Sequence, residues 1–381
     1  MKEAFTRKSL LILGRGIGQV MFQNNALSGL LMLIGIFLNS WQMGLLAVSG
    51  NIISTLTARI SGYDCDDIKN GLYGFNGTLV GIAVGVFMLL TVSSLMLMAI
   101  ASCASTYIAR FFNMQRVLPG FTTPFILSVW MLLGLCSWLM PDMLLVSDTE
   151  TPASSSINYL QCFSMGIGQV MFQGNMMTGL FFLAGILVNS RNAAVYTILG
   201  ALLPLLLATL LGVDSEALNM GLMGYNGVLC ALALGGKSWM SCIWAACSVL
   251  LSVVLQIVGM NWGIITLTAP FVLSVWLTMG IKNLYLFFKL GRRQATNPNK
   301  GIKDYKQPRY HIYQPCLPIQ PKQYRQFQKQ NQRTTRKSNP AYWVAIPGRT
   351  AIWQEKRKKA SDRHRSSALL SMQALREASS Y

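Results

Sequence analysis

The chain has 381 residues, 52% of them hydrophobic and only 12% charged, with a mean hydropathy of +0.41, a balance that excludes a water-soluble globular domain and reads as a membrane protein. The net charge of +19 would suggest an acidic partner, yet residues 290–381 hold 20 of the 32 Lys and Arg and 4 of the 13 Asp and Glu. The basic balance therefore belongs to a tail, and the body before it is close to neutral.

At the N-terminus, basic residues precede an apolar run, but Gly14 and Arg15 interrupt it and no small-x-small cleavage site follows, so an uncleaved start is expected. Apolar stretches suited to cross about 30 Å of hydrocarbon occur near 16–39, 42–60, 79–112 in one or two pieces, and 117–140. A polar, Ser- and Thr-rich connection at 141–158 reads as a surface loop. The apolar pattern returns near 163–189, 193–212, 228–260 and 262–288. Basic residues precede the first span and follow the last, which predicts both termini on the cytoplasmic side of a cell membrane, plasma or bacterial inner.

The second series repeats the first. GIGQVMFQNNALSGLLMLIGIFLNS at 16–40 matches GIGQVMFQGNMMTGLFFLAGILVNS at 166–190 in 16 of 25 positions. GLYGFNGTLVGIAVG at 71–85 matches 221–235 in 8 of 15, and FTTPFILSVWM at 121–131 matches 267–277 in 7 of 11. Three matches in one order establish a duplication. The glycine-rich, polar head of the second motif suggests a half-helix that enters the membrane and turns back, a geometry tolerated where protein or a water-filled cavity covers the backbone. The expected fold is an all-α polytopic membrane protein: two five-span halves, each with a re-entrant half-helix, the second inverted relative to the first. The halves are 1–140 and 159–290, joined by 141–158 and followed by a tail at 291–381.

Amides and hydroxyls in lipid cost free energy unless hydrogen-bonded, so Gln19, Gln169, Asn76, Asn226, Thr122 and Thr268 are expected to face the interior, either as helix glue or as a lining. Gln19 with Phe22, and Gln169 with Phe172, would share a helix face, setting an aromatic wall beside a hydrogen-bonding group twice. Both histidines, His311 and His364, lie in the tail, and the charged residues of the body map to span ends or loops. An ion-coupled carrier needs an ionisable group at depth, so a small, neutral, planar solute suits this lining better. Six cysteines sit in or beside apolar segments as small hydrophobes, without CxxC spacing. No metal site, cofactor or catalytic constellation is expected, and hence no enzyme.

The GQVMFQ(N/G)N segment, the GxNG segment and the duplicated T-x-P-F at 122–125 and 268–271 together resemble the urea transporter family. The resemblance covers about residues 10–289 and implies ten transmembrane helices plus two pore half-helices, inverted repeats, and a homotrimer with one urea-conducting pore in each subunit. Carried onto this chain, it implies Gln19 and Gln169 at the two ends of a filter, with Phe22 and Phe172 forming flat slots. Phe75 and Tyr225 would supply opposing ring faces, Leu79 and Leu229 further walls, and Val20 and Val170 neighbours of the amides. Asn76 and Asn226 would accept hydrogen bonds from urea, and Thr122 and Thr268 would line the narrow middle. Tyr225 departs from the phenylalanine of the other repeat.

The tail lies outside this resemblance and reads as a solvated segment, locally helical near 366–378. Contact with anionic lipid is the alternative, and no nucleic-acid partner is expected. Its Asn339-Pro340-Ala341 occurs once and outside the membrane, unlike the paired motif of water channels. Two other functions stay open: a channel for another small neutral solute such as a short amide, water or ammonia, and a membrane-anchored protein acting through its tail.

Overall fold

The computed structural model describes residues 2–115, 117–145 and 156–296, all within one compact unit, Met1–Leu317. The tail features, from His311 to the segment at 366–378, lie outside the described residues. Regular structure among the described residues is helical, without a β-strand. The first half holds α1 (Lys2–Gln19), α2 (Ala26–Asn39), α3 (Trp41–Ile60), α4 (Cys65–Lys69), α5 (Gly74–Phe87), α6 (Val92–Gln115) and α7 (Thr123–Leu139). The second holds α8 (Tyr159–Gly168), which runs on into a 3-10 turn, Gln169–Met171, then α9 (Met176–Asn189) and α10 (Arg191–Leu210). It ends with α11 (Ser215–Asn219), α12 (Gly224–Leu234), α13 (Trp239–Asn261) and α14 (Ala269–Thr296).

The repeat of motifs is thus a repeat of helices, down to their caps. Asn25 and Asn175 accept from the N–H two residues on, opening α2 and α9. Ser40 and Ser190 open α3 and α10, accepting from the N–H three residues on. Each cap satisfies an N–H that the first turn leaves without a helical partner.

Among the described residues, length and apolarity qualify five helices to cross a membrane, and a sixth span if α8 and α9, bent by 72°, count as one. The burial pattern agrees. Small polar side chains such as Ser28, Asn51, Ser54, Thr106 and Ser248 are fully buried, while Leu10, Trp138 and Leu210 lie exposed on outer faces. Polar groups inside and large apolar groups outside is the arrangement hydrocarbon favours. The protein is a multi-pass membrane protein.

Two expected elements change on inspection. The apolar runs near 16–39 and 163–189 are broken: α1 stops at Gln19, and α8 with its 3-10 turn stops at Met171. The stop is a Schellman cap, with Gln23 N–H on the Gly18 carbonyl and Phe22 N–H on the Gln19 carbonyl, matched by Gln173 on Gly168 and Phe172 on Gln169. Hydropathy cannot see this cap because phenylalanine stands where glycine usually does. Phe22 consequently lies beyond the helix that carries Gln19, and the two do not share a helix face.

Helices α5 and α12 have 14 and 11 residues, or about 21 and about 16 Å at the α-helical rise, short of the roughly 30 Å of a hydrocarbon core. Helix α5 is buried on nearly every side, which it achieves by backbone contact with α3. A Cβ on Gly50 would run into the Gly77 carbonyl oxygen, and Gly200 and Gly227 meet likewise in the second half.

Candidate functional site

The four described non-glycine residues with positive φ form two repeat pairs: Phe22 (61°) with Phe172 (58°), and Phe121 (44°) with Leu267 (48°). A bulky side chain in this region costs about 1–3 kcal/mol and persists only where its surroundings hold it. Here the surroundings are other aromatic rings for Phe22, Phe121 and Phe172. The Phe22 ring meets Phe121 at 6.0 Å and Phe271 at 6.2 Å, edge to face. Phe172 meets Phe125 at 6.1 Å and Phe87 at 5.9 Å. Each half therefore sends an aromatic ring onto the T-x-P-F phenylalanine of the other.

Around the first of these rings lies a cavity of about 230 Å³ whose wall includes Gln19, Val20, Phe22, Phe75, Asn76 and Thr122. Six residues singled out in the sequence, from three separate stretches, meet there. Gln19 donates its amide N–H to the Asn70 carbonyl at 3.0 Å. Asn76 accepts from the Phe125 backbone N–H at 3.2 Å, tying α5 to the first turn of α7. Leu79, the seventh, is fully buried in α5 and is not part of that wall.

In the second half, Gln169 donates to the Met220 carbonyl at 3.0 Å and Asn226 accepts from Phe271 N–H at 3.1 Å, the same bonds at matched positions. Val170 and Leu229 are buried. Tyr225 does not behave as a ring alone, because its hydroxyl lies 3.1 Å from Gln256 Oε1, 3.2 Å from Thr266 Oγ1 and 2.8 Å from the Leu267 carbonyl. Between the halves, the Thr122 and Thr268 hydroxyls meet at 2.7 Å. Among the described residues, no cluster of His, Cys, Asp or Glu is placed to hold a metal. A larger groove, about 560 Å³, runs past Phe87, Trp130 and Ile265 and is lined almost wholly by apolar groups.

The sequence reading missed the residues that join the halves. Gln23 accepts from Asn189 at 2.8 Å and Gln173 from Asn39 at 2.9 Å, each also donating to a backbone carbonyl two residues back. Trp130 donates to the Ile265 carbonyl at 2.8 Å and Trp276 to the Pro119 carbonyl at 3.0 Å. All eight side chains and carbonyls fall at matched repeat positions. That matching was the available signal, but only the fold shows that each donor reaches into the opposite half.

Known proteins resemble this chain in the same region. The family described as Urea transporter matches residues 10–283. Urea transporter 1 of Mus musculus is 30% identical over 249 residues, covering 60% of this chain and 63% of the relative. Urea transporter 1 of Ovis aries is 31% identical over 248 residues, and that of Rattus norvegicus 31% over 246, with the same coverage. The chain thus spans 63% of the length of these relatives. It belongs to the urea transporter family.

Proposed function

From that membership, we propose that the protein carries urea passively across a membrane. The path runs between two inverted five-span repeats, ten spans and the half-helices α5 and α12 in all, and three chains assemble with one path each. Residues 1–140 and 159–290 form the repeats, and residues 291–381 extend from the same cytoplasmic side as the N-terminus. Gln19, Val20, Phe22, Phe75, Asn76 and Leu79 line one end of the path. Gln169, Val170, Phe172, Tyr225, Asn226 and Leu229 line the other, and Thr122 and Thr268 mark its middle.

The observation that carries this reading is the convergence of an amide, aromatic rings and a hydroxyl on one cavity wall, beside the paired threonines where the halves meet. Urea is flat, with four N–H donors and one strong acceptor. Ring faces admit it edgewise, while amides and hydroxyls replace its water one contact at a time. Sites that bind weakly and repeatedly also release, which conduction requires. No ionisable group is needed, and none stands in the wall of that cavity.

The test is urea uptake by the purified full chain in liposomes, without any ion gradient. Saturable uptake is expected, lowered about tenfold in Thr122→Val with Thr268→Val, since each lost hydrogen bond is worth about 1 kcal/mol net. Uptake that requires a proton or sodium gradient overturns the passive mechanism.

A further inference from the structure

The residue before each of the paired threonines is left-handed, Phe121 ahead of Thr122 and Leu267 ahead of Thr268, and the two halves hold that residue by different means. Phe121 is held by rings, its centre 5.3 Å from that of Phe271 and 6.0 Å from that of Phe22. Leu267 offers no ring. It stands in a turn closed by the Ala269 N–H on the Thr266 carbonyl at 3.0 Å, and the side chains that reach this turn are polar.

Gln256 of α13, 3% exposed, is the centre of that polar group. Its side-chain oxygen accepts from Thr266 Oγ1 at 2.9 Å and from Asn226 Nδ2 at 3.1 Å, and lies 3.1 Å from the Tyr225 hydroxyl. That hydroxyl lies 2.8 Å from the Leu267 carbonyl oxygen, and Asn226 Oδ1 accepts from the Phe271 N–H at 3.1 Å. One carboxamide oxygen is thereby tied to the two residues before Thr268 and to the first turn of the helix after it. The offset of 146 that aligns the T-x-P-F motifs sets Arg110 at the place of Gln256 and Gly120 at that of Thr266. Neither can repeat the arrangement, because glycine has no hydroxyl and a guanidinium donates but does not accept. Arg110 instead stands over the Tyr63 ring, 5.1 Å from its centre.

We propose that Gln256 is a positioning residue for the middle of the path: through Thr266, Tyr225 and Asn226 it fixes the Leu267 turn, and with it the Thr268 hydroxyl 2.7 Å from that of Thr122. The proposal rests on the urea path and adds to it a residue that acts only through Thr268. A left-handed leucine persists only where its surroundings over-determine it, and a hydrogen bond weakens steeply once distance and direction leave a narrow range. Removing the common acceptor releases the turn on both sides of Thr268 and carries its hydroxyl away from Thr122. The first half has no need of such a residue, since rings hold Phe121.

A double-mutant cycle on urea uptake by the full chain in liposomes, counted per monodisperse molecule, tests this. Gln256→Met keeps the length of the side chain and removes the acceptor, so flux is expected to fall about tenfold with the hydrogen bonds lost. In a Thr268→Val chain, where the hydroxyl to be positioned is gone, the same exchange is expected to change flux by no more than about twofold, because losses that act through one group do not add. Gln256→Glu keeps an accepting oxygen whether ionised or protonated and is expected to retain most of the flux. Thr266→Val deletes one donor and supplies the same cycle on a smaller scale should Gln256→Met give no folded protein. Undiminished flux in Gln256→Met, an equal loss in Gln256→Glu, or a loss that recurs in full in the Thr268→Val chain overturns the proposal. A crystal structure of Gln256→Met is independent of the solute: the Thr122–Thr268 contact is expected to open beyond hydrogen-bonding distance, and an unchanged contact overturns the proposal. Absence of urea uptake in wild type overturns the urea path alone, and the crystal structure then still decides the role of Gln256.

Discussion

The region around Asn76 and the region around Asn226 began as one sequence and now differ in a handful of side chains. Their scaffolds agree: the Schellman cap, the left-handed phenylalanine, the glutamine on a carbonyl, and the asparagine that holds the next helix. Their polar fillings disagree. At one end Asn226 and Tyr225 donate to Gln256; at the other the Asn76 amide nitrogen is buried without a hydrogen-bond partner. Duplication thus preserves what the backbone needs, because each bond there satisfies a buried group of the chain itself. The groups that differ are side chains that bond one another.

Changing the shared scaffold should hurt both ends equally and most severely. Gly77→Val and Gly227→Val each force a side chain into the backbone of α3 or α10, and overpacking of this kind costs about 1–3 kcal/mol or more. Loss of monodisperse protein in size-exclusion chromatography is expected for both; normal yield of either means the helices can part. Next in size is the polar filling. Tyr225→Phe removes a hydroxyl that Gln256, Thr266 and Leu267 surround, and thermal unfolding should show a loss of about 1–2 kcal/mol. Phe75→Tyr adds a hydroxyl where no such cluster exists, so it should lower urea flux more than it lowers stability. If both exchanges shift stability alike, the two ends are less different than their hydrogen bonds indicate.

A smaller effect is expected from the bonds that cross between the halves. Trp130→Phe and Trp276→Phe each delete one indole bond to a carbonyl of the opposite half, worth about 1 kcal/mol, and the two losses should be similar. The smallest is with pH. The cavity wall at the first end holds amides, hydroxyl and apolar groups, so urea flux should vary less than twofold between pH 6 and 8. A steep dependence would point to a titrating group elsewhere on the path.

Several features were open to sequence reading because they depend on local composition or on exact recurrence. The apolar body, the duplication, the short helices at GLYGFNG and GLMGYNG, and the burial of Asn76, Asn226, Thr122 and Thr268 all follow from hydropathy and matched motifs. The breaks at Phe22 and Phe172 did not, since helix propensity gives no warning of a left-handed phenylalanine. Nor did the role of Gln23 and Gln173, whose partners Asn189 and Asn39 lie in the opposite half.

What the sequence by itself determined was a membrane body made twice, because hydrophobic length and repeated motifs are properties of the chain read in one dimension. Which donor meets which acceptor was decided only by the tertiary structure. Thr122 finds Thr268 across 146 residues, and Gln256 finds Asn226 across 30. A buried hydrogen bond is set by distances of a few ångströms and by direction, and neither is written in the order of residues. The difference between the two ends, Asn76 Nδ2 buried without a partner and Asn226 Nδ2 on the Gln256 carboxamide, exists only once each half has folded.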